Sequence, residues 1–555
     1  MKGSYVFLAW SALQMFATPP LFAAEPSGAL VEKLLDRIVE REQAFLMAIQ
    51  TRAPLVETYI QETNENADTS ARPTKDHYFL GRFRLTDTLR YEGLVERSTA
   101  PASQTRSRIP FRRGASKSDA LTFLPRGFAQ MTVIDLHNFN RRTYRFEYVR
   151  REFLGDLRCL VFDVAPVNRQ EPGKFVGRVW VEDRDDSIVR FNGSYIEGPP
   201  AKHALVERYF HFDSWRVNAG GSMWVPAQIY VEEQASPGTG ANRATPDFKA
   251  QTRIWDYAAE PSRTIDELTS ILVESESAVK DHDAPKDISP LESQRSWERQ
   301  AEENLLARLE KGGFLAPPGP VDEVLNTVVS NLIVSAKINV EAHCRVLLTT
   351  PLETFVIGHT IVISRGLIDV MPDETSLALA LASELAHIAL GHRTQTQFAF
   401  NNQTMLSDFD LLRRLRFEHP AAEMLAASQE TISLMQASPY QKTANAGLFL
   451  KALGARNGAL PRLLQANLGD QVADPEALAR LAGFAASAPP LEEDKLDQIA
   501  ALPLGSRIKV NPWSNQVDLL KTRPLSLLSP REKMPFEVTP FTLYLTRSEA
   551  ASASK

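Results

Sequence analysis

Cysteine is almost missing. Cys159 and Cys344 are the two in 555 residues, too few for a disulfide framework or a cysteine-based zinc site, so both are expected as small buried apolar residues. Lysine and arginine form no dense block, and the net charge is −6. That pattern argues against a nucleic-acid partner. After the first two dozen residues there is no run of about 18 uncharged apolar residues, so no later membrane span is expected. No internal repeat is evident either. What remains is 43% hydrophobic and 23% charged, ordinary for globular protein, in a chain long enough for two or three domains.

The first 24 residues stand apart. Lys2 is the only early charge, Val6-Phe7-Leu8-Ala9-Trp10 is apolar, and Leu21-Phe22-Ala23-Ala24 precedes Glu25-Pro26. A positive start, a short apolar middle and a small-residue end read as a secretory signal peptide, although Phe22 sits where a small residue is preferred. Pro19-Pro20 interrupts the run, which argues against an uncleaved anchor, and no cysteine near the junction offers a bacterial lipid anchor. The expectation is a signal peptide over 1–24 and a periplasmic or secreted protein of bacterial type.

Residues 27–64 carry Leu30, Leu34, Leu35, Ile38, Val39, Phe45, Leu46 and Ile49 at three- and four-residue steps, opposite Glu32, Asp36, Glu40 and Arg41. This spacing predicts an amphipathic helix. After Arg72-Pro73 the texture turns to strands. Phe175 to Val181 and Ser187 to Phe191 flank the polar turn Asp183-Arg184-Asp185-Asp186, and further strands are expected at Ala204 to Phe212 and Trp224 to Val231. An antiparallel β domain over 73–260, curved round an apolar helix face, follows. Pro101 to Ser118 reads as a loop. Residues 261–317 read as linker and helix, 318–487 as a mainly helical domain with strands at Cys344 to Leu348 and Phe355 to Ile363, and 488–555 as an extended tail. The fold class is α+β, multidomain.

The helix from about Thr375 carries the chemistry. In a zinc protease of the H-E-x-x-H kind, two histidines one turn apart bind the metal and the glutamate serves as general base. Here Glu384 and His387 stand in the second and fifth positions, and Ser383 stands in the first. A Glu and a His three apart on an apolar helix are common, and alone they fit a packed helix with a hydrogen-bonded histidine.

The wider text, Leu381-Ala382-Ser383-Glu384-Leu385-Ala386-His387 through Gly391-His392-Arg393, resembles the active-site helix of the gluzincin metallopeptidase family of HtpX and the CAAX prenyl proteases. Glu353-Thr354-Phe355-Val356-Ile357-Gly358-His359, running on to Gly366-Leu367-Ile368, resembles that family's substrate-edge strand and its N-A-F motif. The resemblance covers about Pro318 to Asp470 and implies a zincin-like domain with a small edge-strand sheet. It implies zinc as cofactor if the site is active, His387 as a ligand, Glu384 as base, and Thr354, Phe355 and Val356 as residues that bind an extended polypeptide.

The departures matter as much. Ser383 replaces the first histidine, Glu353 the asparagine and His359 one glycine of a pair, and the third ligand should fall near Ala426 to Ser428, where no carboxylate stands. Glu423 or Glu430, a turn away, could replace the lost carboxylate, and His359 or His419 the lost imidazole. His392 falls at a structural position in the family and suits the helix dipole. Changes outside the ligand shell already cost roughly 10–100-fold, and losing two ligands costs more, so a pseudo-peptidase is the leading expectation.

Lys174 to Tyr195, with Trp224-Val225-Pro226, resembles the outer-membrane lipoprotein carrier (LolA-like) family, in which a half-open barrel wraps helices and holds acyl chains. Three functions are therefore carried forward: a pseudo-peptidase binding extended polypeptide in the cell envelope, an active zinc metalloendopeptidase with a rearranged ligand set, and an envelope lipid or lipoprotein carrier.

Overall fold

The computed structural model describes residues 28–64, 72–95, 123–197, 210–233, 247–258, 289–400 and 410–547, apart from positions 87, 411, 443, 473, 474, 499, 506 and 524. The signal peptide over 1–24, the loop at 101–118, most of the strand expected from Ala204 and the linker up to 288 lie outside the described residues.

Helix α1 spans Gly28–Gln50 and buries Leu35, Ile38, Leu46 and Ile49. The helix read as far as residue 64 stops there. Pro54 has no N–H to give a helix, and Leu55–Asn64 forms strand β1 instead. Leu55 and Tyr59 enter one core while Val56 and Ile60 enter another. A strand buried on both faces reads as a continuous apolar run, which periodicity does not separate from helix.

The remaining strands of the N-terminal half are β2 (Arg72–Leu85), β3 (Leu89–Val95), β4 (Tyr144–Leu154), β5 (Leu157–Pro166), β6 (Phe175–Glu182), β7 (Ile188–Tyr195), β8 (Phe212–Gly220), β9 (Met223–Glu233) and β10 (Asp247–Trp255). They join β1 in one antiparallel sheet ordered β3-β2-β1-β10-β9-β8-β7-β6-β5-β4. The hairpin expected across residues 183–186 is β6 and β7. Helix α1 touches β2, β7 and β9, which are far apart in that order, so the sheet curves round it. A short helix, α2 (Pro125–Gln130), packs into the same apolar layer through Phe128 and Ala129.

The opposite face meets the C-terminal half. Leu55, Tyr59, Leu80 and Trp255 share a core with Leu305, Phe314, Leu347 and Phe355. Polar contacts cross the same junction: Glu57 accepts from the Thr350 N–H at 2.6 Å and its hydroxyl at 2.7 Å, and Asp76 accepts the N–H groups of Arg462 and Leu463. The tail runs over both halves, with Phe536 in the shared core and Leu545 against Trp180 and Trp215.

In the C-terminal half, α3 (Pro290–Lys311) starts at a capping box formed by Ser289 and Glu292. It is followed by α4 (Pro320–Ala336), β11 (His343–Leu347), β12 (Glu353–Ile357), β13 (Thr360–Ser364), α5 (Arg365–Val370) and α6 (Glu374–Ala389). The single strand expected over 355–363 is a hairpin, β12 and β13, because Gly358 takes φ +60° and turns the chain. Then come α7 (Ala421–Ala437), α8 (Ala444–Arg456) and the two-residue strand β14 (Asp470–Gln471), giving a sheet ordered β11-β13-β12-β14. No helix among the described residues is long and apolar enough to cross a membrane. Cys159 and Cys344 are free thiols buried in separate cores.

Candidate metal centre

Alanine and leucine on nearly every side let α6 sit deep in the core, with Leu381, Ala382, Leu385 and Ala386 buried. Glu384 and His387, the two motif residues, are only 2% and 1% exposed. Thr354 on β12 donates its hydroxyl to Glu384 Oε1 at 2.6 Å, while Glu384 Oε2 is buried with no partner among the described residues.

The end of α6 places a second histidine. Gly391 takes φ +70°. Its N–H bonds the Ile388 carbonyl, and the His392 N–H bonds the His387 carbonyl, both at 3.0 Å. These are the two bonds of a Schellman cap. The reversal folds His392 back over His387, and their Nδ1 atoms lie 2.9 Å apart.

Two further segments converge on the same spot. His419, just before α7, stacks on His387 with ring centroids 3.6 Å apart. Asp470 on β14 holds it, accepting from its backbone N–H at 3.0 Å and pairing with its Nδ1 at 2.6 Å. From the first turn of α7, Glu423 brings a carboxylate whose Oε2 is buried and unpartnered among the described residues. His387, His392 and Glu423 offer ligand atoms within 4.8 Å of one another, and so do His387, His419 and Asp470.

Electrostatics follow from this crowding. Burial, then the neighbouring His419 and His392, push the His387 pKa down to about 3, so its imidazole is neutral with a lone pair to give. Burial and the charge of Asp470 push Glu384 up to about 7, against the opposing pull of His419 and the Thr354 hydroxyl. Burial alone lowers the His419 pKa, but the bond to Asp470 and the charges of Glu384, Asp470 and Glu423 outweigh it and raise it.

Of the residues singled out in the sequence, Glu384, His387, Thr354, Glu423 and His419 come together here. His359 does not: it is exposed, with Nδ1 against the Glu341 carbonyl. Glu430, Ser383 and Ala426 belong to neither ligand group. Thr354, Phe355 and Val356, expected to bind an extended polypeptide, lie on β12. All three side chains are buried, Thr354 pairs with Asp470 across β14, and Phe355 stacks on Phe417 at 4.8 Å. The Thr394 hydroxyl donates to the Val356 carbonyl at 3.3 Å and accepts the Gly358 N–H at 2.8 Å. The chain thus meets these edge groups of β12 itself. Two site residues were missed: His392, which Gly391 could have signalled as the residue after a left-handed cap, and Asp470, for which no local signal exists.

A glutamate and histidine on a buried helix, beside a strand hairpin and a cluster of further ligand-type side chains, define a zincin-type metallopeptidase domain. The model of peptidase family M48 matches residues 321–493, so this part of the chain is similar to that family. No curated protein matches the chain. Among solved structures, a DUF1329 family protein from Desulfovibrio piger is 12% identical, with 40% of this chain and 90% of that chain covered. Its TM-score of 0.20 makes the likeness too slight to carry weight.

Proposed function

We propose that the protein is a zinc-dependent endopeptidase acting on extended polypeptide in the cell envelope, with a ligand set rearranged from that of its family. The observation that carries this reading is the convergence of His387, His392 and Glu423. Two imidazoles and a carboxylate suit a catalytic zinc. Glu423 Oε2 has no partner among the described residues to compete for it, whereas Asp470 is already committed to His419. His392 thus stands in for the histidine lost at Ser383, and Glu423 for the carboxylate lost at Ala426. A zinc ion held there supplies Lewis acidity toward water and a peptide carbonyl.

The chain's own groups do the rest. Glu384 Oε2 takes a proton from the attacking water and returns it to the leaving nitrogen, while Thr354 fixes Oε1. His419, held by Asp470, lies beside them, and that bond raises its pKa. The lipid-carrier reading rests on the hairpin pattern alone, since the sheet face that would hold acyl chains packs against α1 and α2.

Elemental analysis of the purified full-length protein tests the proposal. Near one zinc per chain is expected in the wild type, falling sharply in His392→Ala and Glu423→Gln. A wild type that takes up no zinc would return the pseudo-peptidase, a polypeptide-binding protein on a protease fold, to first place.

A further inference from the structure

Side chains alternate across a strand, so while Thr354 faces Glu384, its neighbour Glu353 points to the other face of β12. There it lines a cavity of about 330 Å³ at the junction of the two halves. Leu80 and Leu94 of the ten-stranded sheet form one wall, and Phe314, Leu412 and Leu468 form another. Because the cavity lies on the face of β12 turned away from α6, it is separate from the candidate metal centre.

The polar lining is unusual in being unsatisfied. Thr349 Oγ1, Glu353 Oε1 and Asn467 Nδ2 are all buried without a hydrogen-bond partner among the described residues, and all three residues line this one cavity. Buried polar atoms are nearly always paired, and each exception calls for a cause. Glu353 is the sharpest case, at 1% exposed. Its Oε2 accepts the N–H groups of Asn467, Leu468 and Gly469 at 2.8, 2.7 and 3.2 Å, which leaves Oε1 as a second, unused acceptor. Asn467 Nδ2 is a donor, and the Thr349 hydroxyl can act either way.

A ligand that meets this set needs a donor for Glu353, an acceptor for Asn467 and an apolar body for the leucine and phenylalanine walls. A carboxylate head offers no donor for Glu353 Oε1. Of the two arginines at the lining, Arg416 donates Nη1 to the backbone carbonyls of Arg413 and Leu415, and Arg413 donates Nη2 to that of Gly93. We infer that this cavity binds an uncharged small molecule with a carboxamide-type head and an apolar body. Its size falls at the lower end of small-molecule pockets, roughly 300–1,000 Å³. An occupant touches both segments that position His419, through Arg416 on one side and Asn467, near Asp470, on the other.

Isothermal titration of the full-length protein with octanamide, N-acetyl-leucinamide and octanoate tests this, and it reads binding directly, whether or not zinc is held. One or both amides are expected to bind at least ten-fold more tightly than octanoate. The tighter of the two tells whether an acyl amide or a peptide-derived amide is the natural class. Glu353→Gln should weaken binding about ten-fold, because its amide oxygen must serve the three backbone N–H groups and its NH₂ then replaces the acceptor. Leu94→Trp, which fills the cavity, should abolish binding, while Thr354→Val, on the other face of β12, should leave it unchanged. If Glu353→Gln does not fold, Leu94→Trp carries the test. Binding of neither amide, or equal binding of octanoate, overturns the proposal and leaves a water-filled junction.

Discussion

On α1, the carboxylate of Glu42 is 2% exposed and receives two bonds from Arg216, at 2.6 and 2.7 Å. On α6, Glu384 is equally buried but, among the described residues, has Thr354 as its one hydrogen-bond partner and an unused Oε2. The contrast extends to their surroundings. In the N-terminal half Asp135 is saturated by Lys174, Tyr144 and two backbone N–H groups. In the C-terminal half Glu423, like Glu384, keeps a buried oxygen without a partner among the described residues. A buried charge that is fully paired holds a fold in register. One that is left short costs stability, and such groups gather at sites where something else completes them.

The contrast is most directly tested by activity. Glu384→Gln should lower casein cleavage by about 10²–10⁴-fold, the usual contribution of a general base, with zinc content unchanged. Cleavage at the wild-type rate would remove Glu384 from the chemistry. Next in size is stability. Arg216→Ala strands the Glu42 charge in the core and should cost about 3–5 kcal/mol in urea unfolding. Glu384→Gln, which replaces a carboxyl group already short of partners, should cost less than about 1 kcal/mol. Equal losses in the two variants would erase the distinction drawn between them.

How far each region could be read from sequence follows from how local its signals are. The hairpin of β6 and β7 declares itself by two β-rich runs across a polar turn. Helix α6 declares itself by motif. β1 did not, because burial on both faces hid its period. The metal centre was half legible. Glu384 and His387 lie in one helical turn, and Glu423 was visible as a nearby carboxylate. His419 and Asp470 are 51 residues apart in sequence and meet only when β14 pairs with β12. His392 was hidden differently, since a reading along the helix axis carries it away from His387, and only the cap turns it back.

That cap yields the third prediction. Gly391→Ala forces an alanine into a left-handed conformation, at about 1–2 kcal/mol of stability, although a Cβ there meets nothing within 4 Å. The cost is therefore conformational, and the relaxed chain should swing His392 off His387. Zinc affinity, measured by competition with a chelator, should fall by more than the stability change accounts for. Unaltered affinity would exclude His392 as a ligand.

The smallest effect concerns a feature on which the two halves agree. Burial pushes the thiols of Cys159, in the N-terminal sheet, and Cys344, on β11, each up to about 12. The thiolate is the reactive form. Neither cysteine should therefore react with a thiol reagent near pH 8 in the native protein, and both should react at once in urea. The linkage has a definite sign. The folded state keeps these protons while the unfolded chain releases them near its ordinary value of about 9, so stability is untouched below that pH. Above it, stability falls toward pH 12 by up to about 1.4 kcal/mol per thiol per unit. Rapid labelling of one thiol but not the other would show that its half opens locally while the other stays closed, and would place the weaker packing on that side of the junction.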